Sequence, residues 1–295
     1  MIFLKHAYLI IAHNEFGILE KLIKLIDDER NDIYIHIDKK VKNFDFEYFN
    51  KIPQYSKIKF VKRYDIAWGS FSMVECELEL LKNAVFSKTE YEYMHLISGV
   101  DMILKSQEYI NNFFGENKGK EFIHFTYKDI NKKTRERISL YHLFRSKRNI
   151  FFRVLTNIFL VIQRIFKINR IKNKSIEVQK GSQWFSITEK FAKYIVSKEE
   201  FIRKTFNYSY CADEVFIQTL IMNSEFKNNL FNKNFDNDHY ACLRCIDWKR
   251  GNPWIFRKDD YDMLVNSKAI FARKFSEKVD KDIVDMIFIN LKGEI

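Results

Sequence analysis

Proline is nearly missing from this chain, 2 of 295 residues, beside only 8 glycines and 4 cysteines. So few chain breakers argue against a flexible linker, a collagenous stretch or a disordered tail. With 46% hydrophobic residues the chain can bury a large core, and it reads as one compact unit over 1–295. Cys76, Cys211, Cys242 and Cys245 are too few for a disulfide framework, which suits a reducing, cytoplasmic compartment. Cys242-Leu-Arg-Cys245 has a C-x-x-C spacing, but in a strand those side chains face opposite ways and no second ligand pair stands nearby. No apolar run reaches the length of a membrane span. The first thirteen residues lack the basic start and long apolar core of a signal peptide.

Acidic residues are absent from 145–174, although the chain carries 39 elsewhere. There Ile150, Phe151, Val154, Leu155, Ile158, Phe159, Ile162, Ile165 and Phe166 form an apolar helical face. Lys147, Arg148, Arg153, Arg164, Lys167, Arg170, Lys172 and Lys174 surround it. A helix both apolar and basic is expected to lie in an anionic membrane surface across 148–174. The alternative is a buried helix with solvated basic ends. The formal net charge of +11 calls for an anionic partner. Because the excess gathers in one segment, nucleic acid is not the expected partner.

The rest of the chain alternates strand and helix. Ala7–Ala12 and Ile33–Ile37 are apolar runs of strand length, separated by a helical pattern at Phe16, Leu19, Leu22, Ile23 and Ile26. Such a crossover makes the two strands parallel and puts His13 and Asp38 at their carboxyl ends, the ligand-binding edge of an open α/β sheet. Strands over 57–62, 91–97 and 121–125 and helices over 72–85 and 107–114 continue the pattern. A strand then a helix start is expected over 180–188, a helix over 213–221, a strand over 240–248, and helices over 259–265 and 282–291. The whole describes a doubly wound α/β sheet.

Eight segments carry a resemblance: AYLIIAHN (7–14), YIHIDKK (34–40), WGSFSMVECELELL (68–81), HLISGVDMILKS (95–106), KGSQWFSIT (180–188), CADEVFIQTL (211–220), LRCIDW (243–248) and IFARKFSEKVD (270–280). In their order they resemble the core-2/I-branching N-acetylglucosaminyltransferase-like family, glycosyltransferase family 14, in its bacterial branch. The resemblance implies a GT-A fold, with a nucleotide-binding half over 1–125 and an acceptor and catalytic half over 176–295. It also implies an inverting transfer from a UDP-sugar, N-acetylglucosamine first among the candidates, to a glycan or lipid-linked saccharide. No metal or other cofactor is expected.

Carried over position by position, Glu214 falls on the general base, with Asp213 the near-equal neighbour by sequence alone. Arg244 and Lys274 fall on the cations that hold the donor diphosphate in place of a metal. Ile11, His13, Asp38 and Trp68 fall on nucleotide contacts. Asp101 is expected to orient the acceptor or brace the site. Trp184 is either a sugar platform or core. The D-x-D spellings Asp236-Asn-Asp238 and Asp260-Tyr-Asp262 read as a surface turn and a helix cap. An inactive relative that only binds glycan would not need Glu214, Arg244 and Lys274 together.

Overall fold

The computed structural model describes residues 5–144, 149–172 and 175–293. Its strands are β1 (Lys5–Ala12), β2 (Asn31–Ile37), β3 (Lys57–Phe60), β4 (Tyr91–Ser98), β5 (Met102–Ile103), β6 (Phe122–Ile123), β7 (Phe185–Thr188), β8 (Arg244–Ile246) and β9 (Phe271–Arg273). The helices in the first half are α1 (Phe16–Ile26), α2 (Phe46–Asn50), α3 (Ser72–Val85), α4 (Gln107–Glu116) and α5 (Lys132–Ser139). Then come α6 (Ile150–Ile165), α7 (Glu189–Ser197), α8 (Glu199–Phe206), α9 (Phe216–Met222), α10 (Tyr261–Val265) and α11 (Lys281–Lys292).

Six strands form the main sheet in the order β3-β2-β1-β4-β7-β6. The first four are mutually parallel, β7 runs antiparallel to β4, and β6 antiparallel to β7. The expected mixed α/β sheet flanked by helices is therefore present. Strand order reverses at β1, where β2 lies on one side and β4 on the other, and a crevice opens at such a switch. Alternate β1 residues feed two cores: Ala7 and Leu9 pack with α3, α7 and α9, while Tyr8 and Ile10 pack with α1, α4 and α11.

A second sheet, β5-β9-β8, docks on the first, and Arg244 is the joint. The residue is 2% exposed, and its guanidinium lies over the Phe271 ring at 4.6 Å. Nη1 donates to Ser186 Oγ at 2.9 Å and to the Cys242 carbonyl; Nη2 donates to the carbonyls of Leu96 (2.9 Å) and Phe185 (2.6 Å).

Local boundaries differ from expectation where tertiary contacts overrule pattern. The strand expected over 240–248 shrinks to β8, because His239–Cys242 winds into a 3₁₀ turn capped by the Asp238 carboxylate. The helix expected from Asp213 begins only at Phe216, after a 3₁₀ turn over Ala212–Glu214. The strand expected over 121–125 keeps only Phe122–Ile123. All four cysteines are free thiols. Asp236 and Asp238 bond the backbone of their own turn, and Asp260 caps the helical turn at 257–260 while bonding Arg250 and Trp254.

The alternative of a buried helix at 150–165 is overturned. Ile150, Phe151, Val154, Ile158, Val161, Ile162, Ile165 and Phe166 are each between 42% and 73% exposed. The side of α6 that faces the protein is partly polar. Thr156 bonds the Leu143 carbonyl, Gln163 bonds both backbone groups of Tyr141, and Arg164 pairs with Glu136 at 2.8 Å. Arg170 works inward as well, over the rings of Tyr141 and Tyr208 and on the carbonyls of Ile138 and Thr205. Lys147, Arg148 and Lys174 lie outside the described residues, as does the side chain of Arg153. Among the described residues no helix is long and apolar enough to cross a membrane.

Candidate active site

The carboxyl ends of the parallel strands supply one wall. His13 follows β1 and is exposed; Asp38 follows β2, its backbone N–H donating to the Ala12 carbonyl at 3.0 Å. The buried Asp38 carboxylate pairs with Lys40 at 2.8 Å, and Lys40 also reaches Asp65 at 2.9 Å. Ile11 contributes backbone, its carbonyl accepting from Gly99 N–H at 2.9 Å. Trp68, 72% exposed, stands on the turn after β3 with its ring edge against Tyr210. Gly69 turns with φ of +74°, and a Cβ there would meet the Tyr210 ring at 2.6 Å.

That turn is welded to the loop carrying the acids. Cys211 N–H donates to the Gly69 carbonyl at 3.0 Å, and three residues later comes Glu214. The Glu214 carbonyl accepts from Gly181 N–H at 2.9 Å, while its side chain is 34% exposed. Only glycine fits at 181, since a Cβ would fall 1.7 Å from the His124 carbonyl oxygen. The expected base and the expected nucleotide contact Trp68 are thus brought to one place, though 146 positions separate them.

Asp213 takes the opposite surroundings. It is 4% exposed, and burial, then the Glu214 charge, push its carboxyl up to about 7. Behind it lies Glu77 of α3, fully buried and bonded by Gln183 Nε2 at 2.9 Å. Burial, then the Asp213 charge, push Glu77 well above the carboxylate range. Glu77 is not among the expected site residues, although an acid among Val74, Leu78 and Leu81 on the apolar side of α3 is a signal for it in the sequence.

On the far side of the 180–184 segment, Trp184 is covered by the Arg273 guanidinium at 3.9 Å. The Arg273 Nε lies 3.6 Å from Asp101 Oδ1, and Asp101 Oδ2 accepts from Ser98 N–H at 2.9 Å. Burial raises the Asp101 carboxyl and Arg273 opposes that rise. One face of Trp184 is thus taken, and Asp101 braces the β4 loop. Phe275 N–H donates to the Val100 carbonyl at 3.0 Å, which fixes the neighbouring Lys274 beside that loop. No described residue pairs with the Lys274 ammonium, in contrast to Arg273.

Arg244 requires a correction. It was expected to hold a diphosphate, but its two terminal nitrogens carry four protons and all four are given to acceptors inside the protein. Its remaining Nε is buried without a partner. In this arrangement Arg244 is a structural joint between the sheets.

The family described as Core-2/I-Branching enzyme matches residues 6–264, and the chain belongs to that family. Xylosyltransferase 2 of Canis lupus familiaris is 23% identical over 305 aligned positions, covering 97% of this chain and 34% of its own length. Xylosyltransferase sqv-6 of Caenorhabditis elegans is 24% identical over 90% of this chain and 34% of its own. The chain spans about a third of the length of these relatives. Mouse Xyloside xylosyltransferase 1 in its apo form is 9% identical, covers 91% of this chain and 96% of that chain, and has a TM-score of 0.37.

Proposed function

We propose that this protein is an inverting glycosyltransferase that moves a sugar from a UDP-sugar to a hydroxyl of a glycan or lipid-linked glycan without a metal ion. The observation that carries the reading is the position of Glu214. It is the accessible carboxylate of its pair, on a loop fixed to the Trp68 turn and, through Gly181, to the segment leading to Trp184. The acceptor hydroxyl would give its proton to Glu214 as its oxygen bonds the anomeric carbon. On the opposite side the bond to the diphosphate breaks, and its electron pair leaves with UDP. Lys274 would offset the growing charge. His13, Asp38 and Trp68 would take the nucleoside at the switch of the sheet, with the Trp68 ring as the stacking surface.

The family resemblance favours N-acetylglucosamine as the donor sugar. The names of the relatives favour xylose. A hydrolysis and transfer screen over UDP-N-acetylglucosamine, UDP-xylose, UDP-glucose and UDP-galactose, run with and without EDTA, tests both points. Turnover of one donor that survives chelation supports the reading; turnover lost on chelation and restored by Mn²⁺ overturns the metal-free mechanism.

The apolar outer side of α6 supports a peripheral position on an anionic membrane, consistent with a cytoplasmic enzyme of surface-polysaccharide assembly. Lys167 and Lys172 are exposed there to meet lipid headgroups.

A further inference from the structure

The candidate base is already occupied. Glu214 Oε2 accepts a hydrogen bond from Arg137 Nη1 at 2.6 Å and lies 3.3 Å from Lys180 Nζ. Arg137 comes from the last turn of α5 and Lys180 from the segment before β7, so the fold gathers them from separate places. Both are anchored. Arg137 packs on the Tyr210 ring at 5.6 Å and accepts Tyr210 N–H on its carbonyl; the Lys180 carbonyl accepts from Thr126 N–H and Oγ1. Two cations against one carboxylate leave a positive charge at the mouth of the site. Asp213 is buried behind this contact, where burial favours its neutral form.

In-line displacement puts the base and the departing diphosphate on opposite sides of the sugar carbon. Cations in contact with the base therefore stand on the acceptor side, and Lys274 on the donor side. We propose that Arg137 and Lys180 form a subsite for an anionic group of the acceptor, a carboxylate or phosphate carried near the hydroxyl that is glycosylated. The inference rests on Glu214 being the base. In the empty site Glu214 fills the subsite itself. An arriving anion takes over the planar Arg137 guanidinium, which suits two oxygens, and Glu214 is released to receive the hydroxyl proton.

Calorimetry with methyl glucuronide, methyl glucoside and UDP tests this. The protein should bind the glucuronide about tenfold or more tighter than the glucoside, and Arg137→Gln should erase the preference while UDP affinity stays unchanged. Glu214→Gln removes the competing carboxylate, so glucuronide binding should tighten severalfold. Equal binding of the two glycosides overturns the subsite. A fall in UDP affinity in Arg137→Gln assigns the cations to the donor and overturns it too. If Arg137→Gln does not fold, Lys180→Gln carries the same readouts. Full turnover in Glu214→Gln would instead remove the base assignment, a result separable from the binding measurements.

Discussion

Glu214 and Asp213 are adjacent in the chain yet occupy different media. Glu214→Gln keeps the shape and removes proton acceptance, so turnover should fall roughly a hundredfold or more with UDP binding retained. If Asp213→Asn is the more damaging change, the base is the buried neighbour. Asp213 also makes a pH prediction. Its carboxyl titrates near 3.8 in an unfolded chain and about 7 here, so between these values the native state holds the extra proton. Its favourable contribution is complete below about pH 4 and is lost as pH rises through 7. Asp213→Asn cannot ionise, so its melting temperature relative to the parent should rise from pH 5 to pH 8; parallel melting curves would refute a protonated Asp213. The family position favoured Glu214, but the residues alone did not separate the two acids, because burial is decided by α3 and the 180–184 segment. Arg137, Lys180 and Arg273 carried no recognisable chemistry in sequence. Each is one base among 50, and only contact with Glu214 or Asp101 distinguishes it.

At the scale of elements, α6 and the irregular segment leading to β7 make opposite demands. In α6 the composition was legible, an apolar stripe with basic neighbours and no acid, but which side would face the protein was not. Thr156 and Gln163 fix that choice by bonding the loop at 141–143, and the larger apolar side chains are left outside. Replacing Phe151, Ile158 and Phe166 with Ser should release the protein from anionic vesicles while soluble-acceptor turnover and melting temperature persist. Retention of the folded variant on anionic vesicles would refute the membrane role. Before β7 the chain passes so close to His124 that Gly181 has no room for a methyl group. Gly181→Ala should therefore cost about 1–3 kcal/mol of stability and displace Lys180 and Glu214 together, read as a lower melting point with lost turnover.

At the scale of the whole molecule, the two sheets meet through Arg244, and that role makes a test of its own. Arg244→Leu removes the guanidinium that donates to the carbonyls of Leu96, Phe185 and Cys242, at a cost of about 1–3 kcal/mol for each buried acceptor left unsatisfied. A large drop in melting temperature is expected. An unchanged melting point with weakened UDP binding would return Arg244 to the diphosphate. By itself the sequence determined the alternation of strand and helix, the parallel β1–β2 pair and the place of His13 and Asp38 at the carboxyl ends of those strands, because periodicity and crossover length are local properties. The ordered motifs identified the family for the same reason, since they are read along the chain. Only the tertiary structure decided that Arg244 points inward, that Arg137 and Lys180 meet Glu214, and that α6 turns its apolar side outward. Those outcomes depend on which distant backbone groups need hydrogen-bond partners and which charges can be paired, and neither is set by a residue's neighbours in sequence.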